Sequence, residues 1–415
     1  MIPKDILIQI FEKLPVESLL RFKCVSKVWY NMIEDREFVD GFRVRAHNRG
    51  TNLLVRKSRF QKNTDEENNT GVNHSQVYTF FLVDSEGKSV PLAFPDILRE
   101  TSFRLYQPVE GLLCCNNIIW NPTTRKFIDL PPRNQMPDAW KISEKMGTTR
   151  GYYGWNICSE YFLGFDVSTK KHKVLSICHV RLVKPPIACK KGDYDAHVYA
   201  EVLTLGTNCW KKISIDISLE QDLCESFEVK SSCSINGVIY SIITVPCKLS
   251  IMSTYMGGCI LAFDISREKL RLLPFPEENV YVETVAYPGE LGGRFALMEV
   301  LDQKIWILEE VFEGGRWTSV DLSLPKRWCD PHEYERGFNV YPMGMGSYQD
   351  GEILFRVSEI CLKTRRDFGA TIFSYNMESK DMRKITELDD FLDSYDDIVF
   401  GLVETIHPLK QVSSF

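Results

Sequence analysis

The sequence predicts a mainly β protein, in which a small N-terminal unit of three helices precedes a β-propeller-like domain of about six four-stranded blades. Three observations lead there. Apolar residues recur at helical spacing within residues 2–39, ahead of everything else. From Leu53 onward the texture changes to short β-type runs divided by turn residues. Those runs repeat at a mean spacing of about 50 residues, as radially arranged four-stranded units do.

In the helical unit, Pro3 suits a first helical position, and Ile6, Leu7, Ile10, Phe11 and Leu14 follow at helical spacing until Pro15 stops the run. A second short segment carries Leu19, Leu20 and Phe22, and a third carries Val25, Val28, Trp29, Met32 and Ile33. A unit of about 40 residues buries little surface by itself. It therefore either packs on the domain that follows or offers apolar contact to a partner. Read along the chain, Ile2-Pro3, Asp5-Ile6-Leu7, Ile10, Leu14-Pro15, Ser18-Leu19, Arg21-Phe22, Cys24-Val25, Lys27 and Trp29 closely resemble the F-box, the module that docks F-box proteins on a Skp-family adaptor. The resemblance covers residues 2 to about 42, with Ile2 standing where Leu is usual. It implies an adaptor surface drawn from Ile2, Pro3, Ile6, Leu7, Ile10, Leu14, Pro15, Leu19, Leu20, Cys24, Val25, Val28 and Trp29.

Composition is that of ordinary globular material, with 44% hydrophobic and 26% charged residues. A net charge of −6 argues against nucleic acid as the main partner. Arg43, Arg45, Arg49, Arg56, Lys57 and Arg59 form a local basic stretch, which reads as a solvated connection over and just beyond residues 43–52. The 13 cysteines are scattered, with only Cys114 and Cys115 adjacent and no C-x-x-C spacing, so they read as reduced, mostly buried thiols. No apolar run approaches the ~20 residues of a membrane span, and Lys4 and Asp5 stand where a signal peptide would be apolar. Cytosol or nucleus is the expected compartment, with no membrane partner.

The repeat pairs an apolar strand ending in a polar turn with a second strand that carries basic or aromatic residues. Its copies are VYTFFLVDSEGKSVPLAFP from Val77, IIWNPTTRKFIDLPP from Ile118, YAEVLTLGTNCWKKI from Tyr199, CILAFDISREKLRLLPFP from Cys259, IWILEEVFEGGRWTSVDL from Ile305 and TIFSYNMESKDMRKI from Thr371. Further strand candidates between them bring each copy to about four strands, a propeller of the kelch-like sort with irregular spacing. These segments, with LGFDVSTKKHKVL and INGVIY, also look like the F-box-associated domain of the large plant F-box family, over about residues 50–410. The domains are then an F-box at 1–42, a connector at 43–52 and a substrate-binding propeller-like domain at 53–410. The joint resemblance implies the substrate-recognition subunit of an SCF-type ubiquitin ligase, which reaches a cullin through its adaptor and selects a protein target the sequence does not name.

Two expectations come from the strand order. Leu53–Val55 and Ile398–Ile406 should share one terminal blade, since an unclosed propeller exposes a strand edge. If strands are counted from the axis outward, every third-to-fourth turn is short, whereas the long polar stretches fall almost entirely at the other end, at 58–76, 133–150, 180–196, 217–231, 246–257, 326–340 and 358–369, with short turns there only near Asn116 and Asp302. Long loops on a rigid scaffold are usual binding surfaces. Tyr152, Tyr153, Trp328, His332 and Tyr334 are the candidate target-binding residues there, with Trp155 expected in the core.

Catalytic signals are thin. His172, His179 and His197 lack carboxylate or cysteine companions at metal-ligand spacing, and no G-x-S-x-G elbow or cysteine–base pair is evident. Gly344-Met345-Gly346 and Gly292-Gly293 lack a phosphate loop's context, and Asp389, Asp390, Asp393, Asp396 and Asp397 read as a solvated acidic loop. No cofactor, metal or catalytic residue is expected. The alternatives are a propeller hydrolase with an N-terminal helical cap, or an adaptor-binding module that never reaches a cullin.

Overall fold

A computed structural model describes residues 3–48, 52–62, 74–84, 88–92, 104–133, 154–183, 196–215, 228–245, 257–276, 287–299, 302–310, 315–330, 332–333, 338–348, 352–361, 366–388 and 398–409. Helices α1 (Lys4–Phe11), α2 (Val16–Lys23) and α3 (Lys27–Glu34) follow the predicted segments. Pro3 and Pro15 occupy the positions before α1 and α2, where a missing N–H costs nothing. Ser26 caps α3, its hydroxyl accepting from the Trp29 amide at 3.2 Å.

The sequence predicts three helices and a solvated connection; a fourth helix, α4 (Arg36–Asn48), takes up much of that connection. Phe38, Val39, Phe42 and Ala46 are buried and lie on one helical face, so the basic residues between them belong to an amphipathic helix. Arg45 pairs with Glu12 at 2.7 Å and Arg43 with Glu110 at 3.3 Å. Arg56 is buried against the Tyr78 ring, 5.0 Å from its centroid. Counting charges alone missed this, because arginine stems bury along apolar surface while their heads find partners.

Blade 1 contains β1 (Asn52–Lys62), β2 (His74–Val83) and β3 (Ser89–Leu92), and blade 2 contains β4 (Leu113–Cys115), β5 (Ile118–Asn121) and β6 (Lys126–Asp129). Blade 3 is β7 (Gly154–Asp166), β8 (Lys171–Val183), β9 (Ala196–Thr204) and β10 (Lys211–Ile213). In blade 4 come β11 (Glu228–Ile235), β12 (Val238–Val245), β13 (Gly257–Asp264) and β14 (Lys269–Pro274). Next are β15 (Tyr287–Leu291), β16 (Arg294–Glu299), β17 (Lys304–Glu310) and β18 (Arg316–Asp321) in blade 5. Blade 6 holds β19 (Phe338–Tyr348), β20 (Glu352–Cys361), β21 (Arg366–Tyr375) and β22 (Met382–Leu388). Finally β23 (Ile398–Leu402) returns to blade 1 and pairs antiparallel with β1, Leu53 opposite Gly401 and Val55 opposite Val399. The predicted closure is present over Ile398–Leu402, whereas residues 403–406, expected in the same blade, leave it.

Strand alternation explains how the blades hold together. On β1, Leu53 and Val55 pack with Leu354 and Ile372 of blade 6, whereas Leu54 between them packs with Leu113 and Trp120 of blade 2. Each blade is thus apolar on both faces, and the core lies between blades. Blade 2 has three strands, and a bridge between Leu105 and Cys115 marks the place of its first.

The short turns share one construction. Asn121, Asp166, Asp264 and Asn376 each end a strand, and their side-chain oxygens accept backbone N–H bonds of 2.9–3.2 Å from residues two or three positions on. Four residues after each comes Arg125, Lys170, Glu268 or Lys380, with φ between 53° and 59°, which turns the chain into the next strand.

Candidate functional site

The helical unit separates into a core and an exposed apolar face. Phe11 is its centre, with the Phe22 and Trp29 rings at 5.7 and 5.2 Å and Phe38 at 6.5 Å. Lys23 and Glu34, both largely buried, tie α2 to α3 at 2.7 Å. Ile6 and Ile10, one turn apart on α1, are 48% and 43% exposed, and Val25 and Val28 are 61% and 65% exposed. Pro3, Pro15 and Cys24 are also exposed, while Leu7, Leu14, Leu20 and Trp29 are half-buried against the core. Leu19 requires a correction. It is fully buried beside Phe11 and Ile33 and has no surface to give a partner, because its side of α2 faces α1 and α3. Ile2 lies outside the described residues. The sequence reading passed over Tyr30 and Val44, which are exposed and apolar as well.

This unit sits on one end of the propeller, the end that carries the short turns. In α4, Arg36 donates to the Thr169 carbonyl at 3.0 Å, Asp40 pairs with Lys170 at 3.3 Å, and Arg43 lies over the Phe165 ring at 4.4 Å. Thr169 and Lys170 form the β7–β8 turn, and Glu110, the partner of Arg43, lies in the turn between Val109 and Leu112. After β23 the chain continues along this seam. Ile406 enters the helical core, the His407 ring meets the His172 ring edge-on at 4.9 Å, and Leu409 packs against the core between blades 2 and 3. Burial holds His172 down to about 3, with His407 adding to the effect, and its Nε2 lies 3.2 Å from the Val109 carbonyl. His172 is therefore a neutral packing residue of the seam.

At the opposite end, β1–β2 pair over ten positions and β7–β8 over thirteen, against eight for β12–β13. The first hairpin runs on past Ile398, where β23 begins opposite Arg56. Of the candidate target-binding residues, Tyr152, Tyr153 and Tyr334 lie outside the described residues. His332 is exposed, its amide donating to Asp330 at 2.9 Å. Trp328 is half-buried instead of standing free on a loop. A single 3-10 turn after Pro325, Lys326–Cys329, lays its ring against the core between blades 5 and 6, with Phe355 and Phe373 at 5.3 and 5.4 Å. Trp155 lies on β7, though its side chain is outside the described set.

The axis of the propeller is crossed from blade 2. Residues 104–109 take the place of that blade's first strand, anchored by Tyr106 donating to Glu160 at 2.9 Å. From there Gln107 donates to the Pro288 carbonyl on β15 at 3.4 Å. Blades 2 and 5 face each other across the centre, so this side chain bridges the axial space. The thiols of Cys114, Cys115 and Cys233 are pushed up by burial, Cys115 to about 12, which holds them protonated and unreactive.

A family model for the F-box associated beta propeller domain matches residues 67–397, and one for the F-box domain matches residues 1–40. The chain belongs to the F-box-associated β-propeller family. A putative F-box protein of Arabidopsis thaliana is 28% identical over 370 residues, covering 85% of this chain and 78% of that one. An F-box protein of the same plant is 25% identical over 403 residues, covering 92% and 89%. Among solved structures, the β-propeller domain of the Trilobed protease from Pyrococcus furiosus matches 82% of this chain and 97% of its own at 8% identity and a TM-score of 0.31, too distant for any argument. The chain is thus a plant F-box protein, and an F-box joined to this propeller is the layout of a substrate receptor of SCF-type ligases. F-box domains generally bind Skp-family adaptors.

Proposed function

We propose that this F-box protein docks on a Skp-family adaptor through the face bearing Ile6, Ile10, Val25 and Val28, joins a cullin through it, and captures a target protein on the long-loop end of its propeller. The observation that carries this reading is the placement of the F-box. By covering short turns of blades 2 and 3, it leaves the long-loop end on the far side of a rigid disc. A target held there is kept near the ubiquitin-transfer machinery, which raises its effective concentration without this chain touching the reaction. Gln107 across the axis favours capture by loops over chemistry in an axial pocket. The role calls for a cytosolic or nuclear location.

The exposed positions provide the test. Ile6→Asp with Ile10→Asp should leave the fold unchanged, since both side chains already face water, and should weaken adaptor binding at least about 100-fold by placing charge in an apolar contact. Copurification of the wild-type chain and the double variant with a Skp-family adaptor reads the outcome. Equal recovery of adaptor by both would refute this docking face.

A further inference from the structure

One continuous segment closes both the propeller and the F-box core. Residues 398–402 form the strand that completes blade 1, and residues 403–409 leave it directly for the seam. Four residues past Leu402, Ile406 is 1% exposed and packs in the same cluster as Phe11, Val39 and Phe42. The strap is held in place from the propeller side. Asn121 Nδ2 donates to the carbonyls of Thr405 at 3.3 Å and His407 at 3.2 Å, and the Thr405 amide donates to Thr123 Oγ1 at 3.4 Å. Gly111, at φ +77°, gives the strap room to pass: a Cβ there would lie 2.5 Å from the Val403 carbonyl oxygen and 2.6 Å from Thr405 Cγ2.

We propose that the F-box of this protein is incomplete without the C-terminal strap, so that its adaptor-binding face is fully formed only in a chain whose propeller has closed. The adaptor half of this inference rests on the docking role proposed above; the structural half does not. An F-box of four helices has a small core, and a buried Ile there is a large fraction of what holds the helices together. Ile406 reaches that core only when β23 is paired with β1 and Asn121 grips the strap. A chain that stops short of its last strand, or whose blades have not closed, lacks this side chain. Its F-box opens more often, and its apparent affinity for an adaptor falls by the fraction of time it is open. The arrangement makes entry into a ligase conditional on an intact target-binding domain.

Two substitutions in the full-length chain test this without touching the exposed face. Ile406→Ala removes the inserted side chain. Asn121→Asp removes the Nδ2 donor while keeping the oxygen that accepts from the Thr124 amide. Native-state hydrogen exchange should show the amides of α1–α3 exchanging about ten-fold faster or more in both, with β11–β18 unchanged. The dissociation constant for a purified Skp-family adaptor should rise by the reciprocal of the closed fraction that the exchange data give. Ile406→Val should shift both readouts in the same direction by less. Unchanged protection of α1–α3 in Ile406→Ala and Asn121→Asp would overturn the shared core. Exchange that shows α1–α3 open more than half the time, with unchanged adaptor affinity, would overturn the conditional docking. If the wild-type chain binds no adaptor at all, the docking role itself fails, and the exchange data alone still decide whether the core is shared.

Discussion

The two ends of the propeller are built on different terms. At the end under the F-box, turns satisfy their own polar groups: Asp264, for example, accepts from both Ser266 and Arg267, and Glu268 supplies the left-handed residue that starts the next strand. Such turns are short, locally determined and rigid, which suits a surface that must hold α4 and the strap at fixed distances. At the other end β1–β2 and β7–β8 run on beyond their neighbours, and β1 is joined to β2, and β8 to β9, through connections of 11 and 12 residues, at 63–73 and 184–195. One end fixes how the propeller stands relative to the F-box; the other carries the longer connections.

The largest effect should come from breaking the closed end. A chain truncated after residue 397 loses β23 and exposes the edge of β1, and it should aggregate on expression. One truncated after Leu402 keeps the blade and loses only the strap, and it should stay soluble with a cooperative thermal transition from its β-sheet. Sedimentation and circular dichroism of both chains measure this. A soluble, cooperatively folding chain ending at residue 397 would show that closure by β23 is dispensable.

The legible parts of this protein are those written in local sequence. Period-3.6 apolar spacing marked α1 to α3, and polar turns marked the ends of strands, because both depend on residues within one turn of each other. Closure of blade 1 was also readable, since an apolar β run at each end of the chain has few other uses. The seam was not. Nothing near Ile406 distinguishes it from any other apolar residue, and its partner Phe11 stands almost the whole chain away. In α4, Arg43 and Arg45 disguised an amphipathic helix as a solvated link. Trp328 is less exposed than its neighbours imply for a related reason: Pro325 and flanking charges signal an exposed loop, but one 3-10 turn is enough to lay the ring against the core. Leu19 was assigned to the adaptor face because position in a motif does not say which side of a short helix points out.

A smaller effect on the same seam comes from pH. Burial first, then His407 and Arg43, keep His172 neutral down to about 3, against the Glu110 carboxylate and the Val109 carbonyl, which favour the charged form. In the unfolded chain the ordinary value is 6.5. Between those values the unfolded state binds the proton and the folded state does not, so stability is complete above pH 6.5 and falls with acidification by up to ~1.4 kcal/mol per pH unit. His407, lowered by burial as well, acts in the same direction. Asp166 acts in a separate window: burial raises it, yet hydrogen bonds from Ser168 and Thr169 outweigh that and hold it at about 2, so its contribution is lost only as pH falls below 3.8. Urea titrations at pH 7, 6 and 5 should show falling stability in the wild type and a shallower fall in His172→Gln. Parallel slopes would mean that His172 does not carry the dependence.

Smaller again is the cost of an individual turn. Asp264→Ala removes the acceptor for two amides and the Ser266 hydroxyl at a partly exposed site, and ~1–2 kcal/mol of stability should go with it. Adaptor binding should be unaffected, since this turn lies in blade 4, away from the α4 contacts on blades 2 and 3. Chemical denaturation measures the first and a binding titration the second; a loss of adaptor affinity would show that the short-turn end responds as one body.

The smallest effect on stability should accompany the largest effect on function. Tyr152, Tyr153 and Tyr334 lie outside the described residues and are expected from the sequence at the long-loop end; on that expectation alanine substitution should alter stability by less than about 0.5 kcal/mol. Aromatic side chains bury much area for few rotatable bonds, so if this end captures the target their loss should remove bound target while adaptor recovery stays at the wild-type level. Trp328→Ala gives the contrast. Its half-buried ring packs against the core between blades 5 and 6, so it should lower stability by ~1–2 kcal/mol, and a target lost together with that stability reports on folding as well as contact. Charge changes in the short turns, Lys269→Glu and Asp381→Lys, supply the matching control at the other end. Proximity labelling with the three sets, beside their melting temperatures, separates the cases. Targets lost only with the tyrosines assign capture to the long loops; targets lost only with the turn charges would assign it to the end that also carries the F-box.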